Sequence, residues 1–199
     1  MTGVAMPRIT RESLMTLEAY AKARKDFRAK VIAHKKVRTV HVGDHLTLLF
    51  EDETTIRYQI QEMLRIEKTF EEAGIDDELE AYNPLVPDGT NFKATMLIEY
   101  EDVDERKAAL ARLRGIESRV FVQVEGSPRV PAIADEDLPR ENAEKTAAVH
   151  FLRFELAPEM IAALKYGVGL AIGVDHPAYS VAPVAVAEET RKALVADLR

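Results

Sequence analysis

The stretch VRTVHVGDHLTLLFED (37–52) constrains the fold more than any other, because it reads as a β-hairpin built around Gly43 and Asp44. Two registers compete. If Gly43 and Asp44 alone form the turn, His45 pairs with Val42 and each face mixes polar with apolar side chains. If Val42, Gly43 and Asp44 form a three-residue loop, His41 faces His45 and Thr39 faces Thr47. Val40, Val42, Leu46, Leu48 and Phe50 then share the reverse face. The hydrophobic pattern selects this second register, since a slip of one residue would send every side chain to the wrong side. Opposed residues have Cβ atoms ~5 Å apart, so the two imidazoles are placed to share a ligand on the polar side.

Around this hairpin, helices and strands alternate irregularly. Thr10 is a plausible cap, and apolar residues at helical spacing from about Leu14 to Ala33 predict one or two N-terminal helices. His34 falls in the last turn, where a cation complements the helix dipole. A strong helix is expected from about Thr54 to Phe70, with Ile56, Ile60, Met63 and Leu64 as its buried stripe. The acidic segment 71–92 reads as a short helix and a loop, because NP and PDG are turn chemistry. KATMLIEY (93–100) is a strand, and Asp102 caps a helix that ends before Gly115. RVFVQVEG (119–126) and RVPAIA (129–134) predict a second hairpin around Gly126 and Ser127, and 135–145 an exposed acidic connector. A strand at 146–156, a Pro158-initiated helix to 165, a strand at 168–174 and a helix at 187–198 complete the chain. The expectation is an α+β fold with a mixed or mostly antiparallel sheet of six to seven strands and about five helices. It forms a single domain over 1–199, with a basic helical segment over about 1–36.

Charge separates that segment from the rest. Residues 1–40 carry ten Lys/Arg against three Asp/Glu, so the remainder of a chain of net charge −7 is strongly acidic. A basic head on an acidic body recruits an anionic partner, or packs on its own body or on another subunit in a homo-oligomer. It lacks the interleaved aromatics of a nucleic-acid surface, and the overall balance repels phosphate. No apolar run approaches the ~20 residues that span a bilayer. The opening MTGVAMPRITRE resembles neither a signal nor a transit peptide, so a cytoplasmic protein is expected. With no cysteine, a thiol nucleophile and a cysteine-held iron–sulfur cluster are excluded.

A Gly-rich phosphate loop, HExxH, GxSxG and the Glu-x-x-His pairs of di-iron bundles are all absent. The histidines remain. His150, in TAAVHFLRFEL, shares a face with Leu152, Phe154 and Leu156, and His176, in GVDHPAY, is in register with Leu170, Ile172 and Val174. Each reads either as a hydrogen-bonded core residue or as a ligand. The DHP unit reads first as a strand terminator, since Pro177 holds His176 extended. If the two C-terminal strands are neighbours, His150 and His176 share a cavity, with His41 and His45 supplying further nitrogens for iron, zinc or nickel. Gln59, Glu62 and Arg65 form either a partner-facing stripe or the solvent edge of their helix. Asn83, Asp88 and Asn91 either bind a ligand or shape a turn.

Six blocks carry a wider resemblance: FRAKVIAHK (27–35), LLFEDETTIRYQIQEMLRIE (48–67), AYNPLVPDGTNFKATMLIEY (81–100), ADEDLPREN (134–142), VHFLRFEL (149–156) and GVDHPAY (173–179). Together they resemble an uncharacterised bacterial family of single-domain proteins of about this length, a domain of unknown function. Its members are often encoded beside a rubrerythrin and an iron–sulfur oxidoreductase of the heterodisulfide-reductase type. The resemblance implies a redox or oxidative-stress context and assigns no residue a role. Three functions follow as alternatives: an accessory protein that binds such a redox partner, a small histidine-ligated metalloprotein with redox or hydrolytic activity, and a binding module using the 81–92 loop.

Overall fold

The computed structural model describes residues 8–137, 140–142 and 144–199. The expected basic segment is therefore seen from Arg8 onward, with 1–7 outside the described residues, as are 138, 139 and 143 of the acidic connector. The fold is α+β, and its strands divide between two antiparallel sheets. The first has the order β1 (Thr39–His41), β2 (Leu46–Phe50), β3 (Asn91–Ile98), β7 (Val149–Glu155), β6 (Ile133–Ala134). The second has the order β5 (Arg129–Pro131), β4 (Val120–Val124), β8 (Leu170–His176), β9 (Tyr179–Ala185). Among the described residues six α-helices accompany them: α1 (Leu17–Val37), α2 (Glu53–Glu67), α3 (Glu72–Tyr82), α4 (Val103–Arg112), α5 (Pro158–Lys165) and α6 (Glu188–Val195).

Alternation along the strands builds the main core. Leu46, Leu48 and Phe50 of β2, Phe92, Ala94, Met96 and Ile98 of β3, and Leu152 and Phe154 of β7 are buried with Val120, Val122 and Val124 of β4 and Leu170, Ile172 and Val174 of β8. Residues two apart point to one face of a strand, so both sheets turn their apolar faces into this shared core. Leu110 of α4, Leu164 of α5 and Leu194 of α6 close it. A second, smaller core of Ile9, Ile56, Ile60, Leu64, Leu79 and Val86 holds α2, α3 and the N-terminal segment together.

The hairpin keeps the expected face but not the expected register. His41 pairs with Thr47 and Thr39 with Leu49, and the loop is Gly43–His45, closed by Val42 N–H donating to Leu46 O at 2.8 Å. A shift of two positions preserves the inward set, which is why hydrophobic pattern alone could not separate the two registers. Gly43, at φ +72°, takes the left-handed conformation that the three-residue loop requires. β9 was hidden by Pro183. As an edge strand it tolerates a residue without an N–H.

Helices α1 and α2 lie antiparallel, clamped by Glu62. Its carboxylate accepts from Tyr20 OH at 2.6 Å, Arg24 Nε at 2.8 Å and Arg65 Nη2 at 3.2 Å. Phe27 packs on Tyr58 one turn along. The Glu62–Arg65 pair expected at a solvent edge is thus part of an inter-helix clamp. Arg24 holds the Glu62 carboxyl down to about 2, below its ordinary value of 4.5. A carboxyl lowered by folding stabilises fully above about pH 5 and loses that contribution as pH falls towards about 2. Glu62→Gln should therefore cost about 2 kcal/mol at pH 7, discounted for the part-exposed guanidinia. The gap from wild type should close near pH 2 in chemical denaturation, and a gap independent of pH would contradict the clamp.

Candidate functional site

One end of the first sheet opens into a groove of about 820 Å³, lined by the β1–β2 loop, the end of β3, the start of α4 and the residues entering β7. Leu97, Ile98, Ala148 and Val149 form an apolar floor, and Asp44, Glu99, Glu101 and Glu105 bring four carboxylates against the single guanidinium of Arg106. The sequence places them simply. Leu97 pairs with Val149 across β3 and β7. Glu99 and Glu101 flank Tyr100 as the chain leaves β3, and Asp102 caps α4 by accepting from the N–H groups of Asp104 and Glu105.

His45 lines this groove, and Glu99, which also lines it, is linked through Thr47 to the other hairpin histidine, His41. The Thr47 hydroxyl donates to Glu99 Oε2 at 2.5 Å, so His41 Nδ1, 3.0 Å from Thr47 Oγ1, is the donor to it. His45 Nδ1 donates to the Glu99 carbonyl at 3.0 Å. The His45 ring stacks on Tyr100 with centroids 3.8 Å apart and planes 15° from parallel. Burial pushes the Tyr100 hydroxyl above the ordinary phenol range. This pair gives the groove a flat aromatic wall fixed from both sides.

Tyr179, the last residue of GVDHPAY, secures that wall from the other sheet. Its hydroxyl donates to Val42 O at 2.8 Å and accepts from His45 N–H at 3.0 Å. The proline that ends β8 therefore also opens a two-residue turn, with His176 opposite Tyr179, and the strand terminator read from DHP is half of a hairpin. Nothing in the local sequence marked Tyr179; its partners lie more than a hundred residues away.

The two inward histidines are elsewhere. His150, fully buried, donates from Nδ1 to Asp135 Oδ2 at 2.6 Å, and its Nε2 lies 2.9 Å from Thr146 Oγ1 and 3.0 Å from Ala147 O. Glu117 Oε2 is 3.9 Å from the same nitrogen. His176 accepts from Ala178 N–H at Nδ1 and donates from Nε2 to Arg114 O at 2.9 Å. His176 thus holds the Arg114 end of the turn at 114–117, while the Thr146 hydroxyl beside His150 reaches Glu117 Oε2 at 3.3 Å. Among the described residues, no three of His, Asp and Glu are gathered as a metal ion requires, and His41, His45, His150 and His176 each hold protein partners of their own.

The other sequence candidates are engaged in turns and ties. Asn83 forms a reciprocal pair with the backbone of Ile9, both bonds at 2.9 Å. Asp88 and Asn91 close the loop into β3 on one another and on Thr90. A smaller cavity of about 80 Å³ holds Lys93 and Arg153 near Glu51 and Glu136. There burial depresses the Lys93 amine, which donates to Pro84 O, and Arg153 is paired with Glu136.

Comparison with known proteins follows this geometry. A family model described as a protein of unknown function, DUF3501, matches residues 8–198. A crystal structure at 1.90 Å resolution of a protein of unknown function from Burkholderia pseudomallei K96243 has a TM-score of 0.92 to this chain. The two are 61% identical, over 96% of this chain and 99% of that one. No curated protein matches the chain.

The His150–Asp135 pair has a direct thermodynamic consequence. His150→Leu takes one donor from Asp135, which keeps Arg140 and the Phe151 N–H, and a partner from the buried Thr146 hydroxyl, so it should cost about 2–3 kcal/mol. His176→Leu breaks neutral hydrogen bonds and should cost about 1–2 kcal/mol. Denaturant midpoints in which His176 is the more costly of the two would reverse the assignment.

Proposed function

The chain belongs to the DUF3501 family, and we propose that it is a cytoplasmic accessory protein that docks a redox partner in the acidic groove beside His45 and Tyr100. The observation that carries this reading is the groove's composition. An apolar floor under a rim of four carboxylates suits a cationic, amphipathic protein segment, with apolar contact supplying affinity and charge supplying orientation. It is unsuited to phosphate or nucleic acid. The aromatic wall is pinned before any partner arrives, which lowers the ordering cost of association.

The partner follows from the resemblance noted above: an iron–sulfur oxidoreductase of the heterodisulfide-reductase type, or a rubrerythrin. A chain without cysteine supplies no thiolates for a cluster of its own, so it serves such a system by binding a protein that does. The basic or apolar segment of that partner lies along Leu97 and Val149.

Separately purified oxidoreductase and rubrerythrin test the proposal by titration calorimetry against this chain. At least one should bind, with affinity falling as salt rises. Glu101→Lys with Glu105→Lys, both exposed positions, should weaken binding roughly ten- to hundredfold. Binding of neither protein, or equal binding by the reversed variant, would sink the assignment.

A further inference from the structure

We propose that the helical face of this protein is a self-complementary dimer surface, with α1 of one copy lying against α3 of a second. Three features coincide there. Leu17 of α1, Leu64 of α2 and Ile75 of α3 join Leu14, Met15 and Phe70 around an open hollow of about 240 Å³. Cavities of about 150 Å³ admit a benzene ring, so this hollow accepts an aromatic side chain. Beside it stand three of the large apolar residues that the fold leaves outside: Phe70 at 72% exposure, Ile66 at 60% and Met15 at 36%. A bulky exposed ring adjoining an apolar hollow is the arrangement that a two-fold axis satisfies, each copy placing Phe70 in the other's hollow.

Charge selects the occupant. From the hollow, α1 runs out with seven Lys/Arg and two Asp/Glu, a balance of +5, while α3 carries five Asp/Glu and no base, a balance of −5. Lys25, Asp77 and Glu80 are exposed and enter no ion pair among those formed by the described residues, and Lys22 reaches only its own helix at Glu18. Two α1 helices repel one another, as do two α3 helices. Arg11 already holds Glu72 and Asp76, and Glu62 holds Arg24, so a second copy turned about an axis through Phe70 sets the remaining bases of α1, Lys25 among them, against Asp77 and Glu80 twice over, around an apolar centre. No other protein need be invoked to supply both signs in register.

Analytical ultracentrifugation of the full chain tests this, because the reciprocal contact predicts a pattern no generic stickiness produces. The wild type should sediment as a dimer at tens of micromolar. Phe70→Glu should raise its dissociation constant at least about tenfold. Lys22→Glu with Lys25→Glu should give monomers, as should Asp77→Lys with Glu80→Lys. Mixed together, those two charge variants should form a heterodimer, since each supplies the sign the other lacks. A wild type that remains monomeric, a Phe70→Glu protein that dimerises unchanged, or charge variants that fail to rescue one another would overturn the proposal.

Discussion

The arrangement depends above all on one buried guanidinium. Arg38 follows the last turn of α1 and is 2% exposed. Its fork donates to Phe50 O at 3.0 Å and Ala193 O at 3.3 Å, pairs with Asp197, and stands 3.5 Å from Asp52 Oδ2. Those partners belong to the end of β2, to α6, to the C-terminal turn and to the cap of α2. A guanidinium withdrawn from water must fill its donor sites with fixed geometry or forfeit its hydration. Arg38 does so only when the helices, the first sheet and the C-terminus are all in place. Asp52 compounds the constraint, since it also caps α2 through Thr55 N–H and binds His34 at 2.6 Å.

How much of this the chain announced in advance depends on whether the signal was local. Period-two alternation identified the inward faces of β2, β7 and β8, because burial acts on each residue where it stands. Asp102 and the left-handed Gly115 marked the limits of α4 for the same reason. The register of the first hairpin was not legible, because shifting the pairing by two leaves every face unchanged, and the discriminating contact, Tyr179 on Val42 and His45, comes from residue 179. The division into two sheets was equally hidden. It rests on β3 choosing β7 and β4 choosing β8, pairings between segments far apart in the chain. His150 and His176 were correctly placed inward, yet their partners Asp135 and Arg114 lie far off in sequence, and without them a ligand and a core residue look alike.

The interior leaves little polar capacity to spare. Among the described residues no buried side-chain nitrogen or oxygen lacks a hydrogen-bond partner, and the buried Glu51 carboxylate is held by Thr55 and Thr95 from α2 and β3. Such groups help to specify the fold, because releasing any of them would expose a desolvated partner. At the surface opposite charges are segregated: carboxylates at the groove and along α3, cations along α1.

That segregation makes the rigidity of the groove consequential. His45 is held at its backbone by the Tyr179 hydroxyl and at its ring by the Glu99 carbonyl, so Tyr100 stacks against a surface that cannot rotate away. Gly173 gives room in the second sheet, where β8 has Phe121 of β4 on one side and β9 on the other. A Cβ at that position would lie 2.5 Å from the Phe121 ring, and β8 and β9 shift register there, between Ile172 and Val174. The two-residue turn sets the register in which β9 begins at Tyr179, opposite His176, and the irregularity shifts the pairing only farther along, at Ile172 and Val184. The same short hairpin thus steadies the turn at Arg114 with an imidazole and the groove wall with a phenol, so a perturbation of the second sheet would be felt at a surface built from the first.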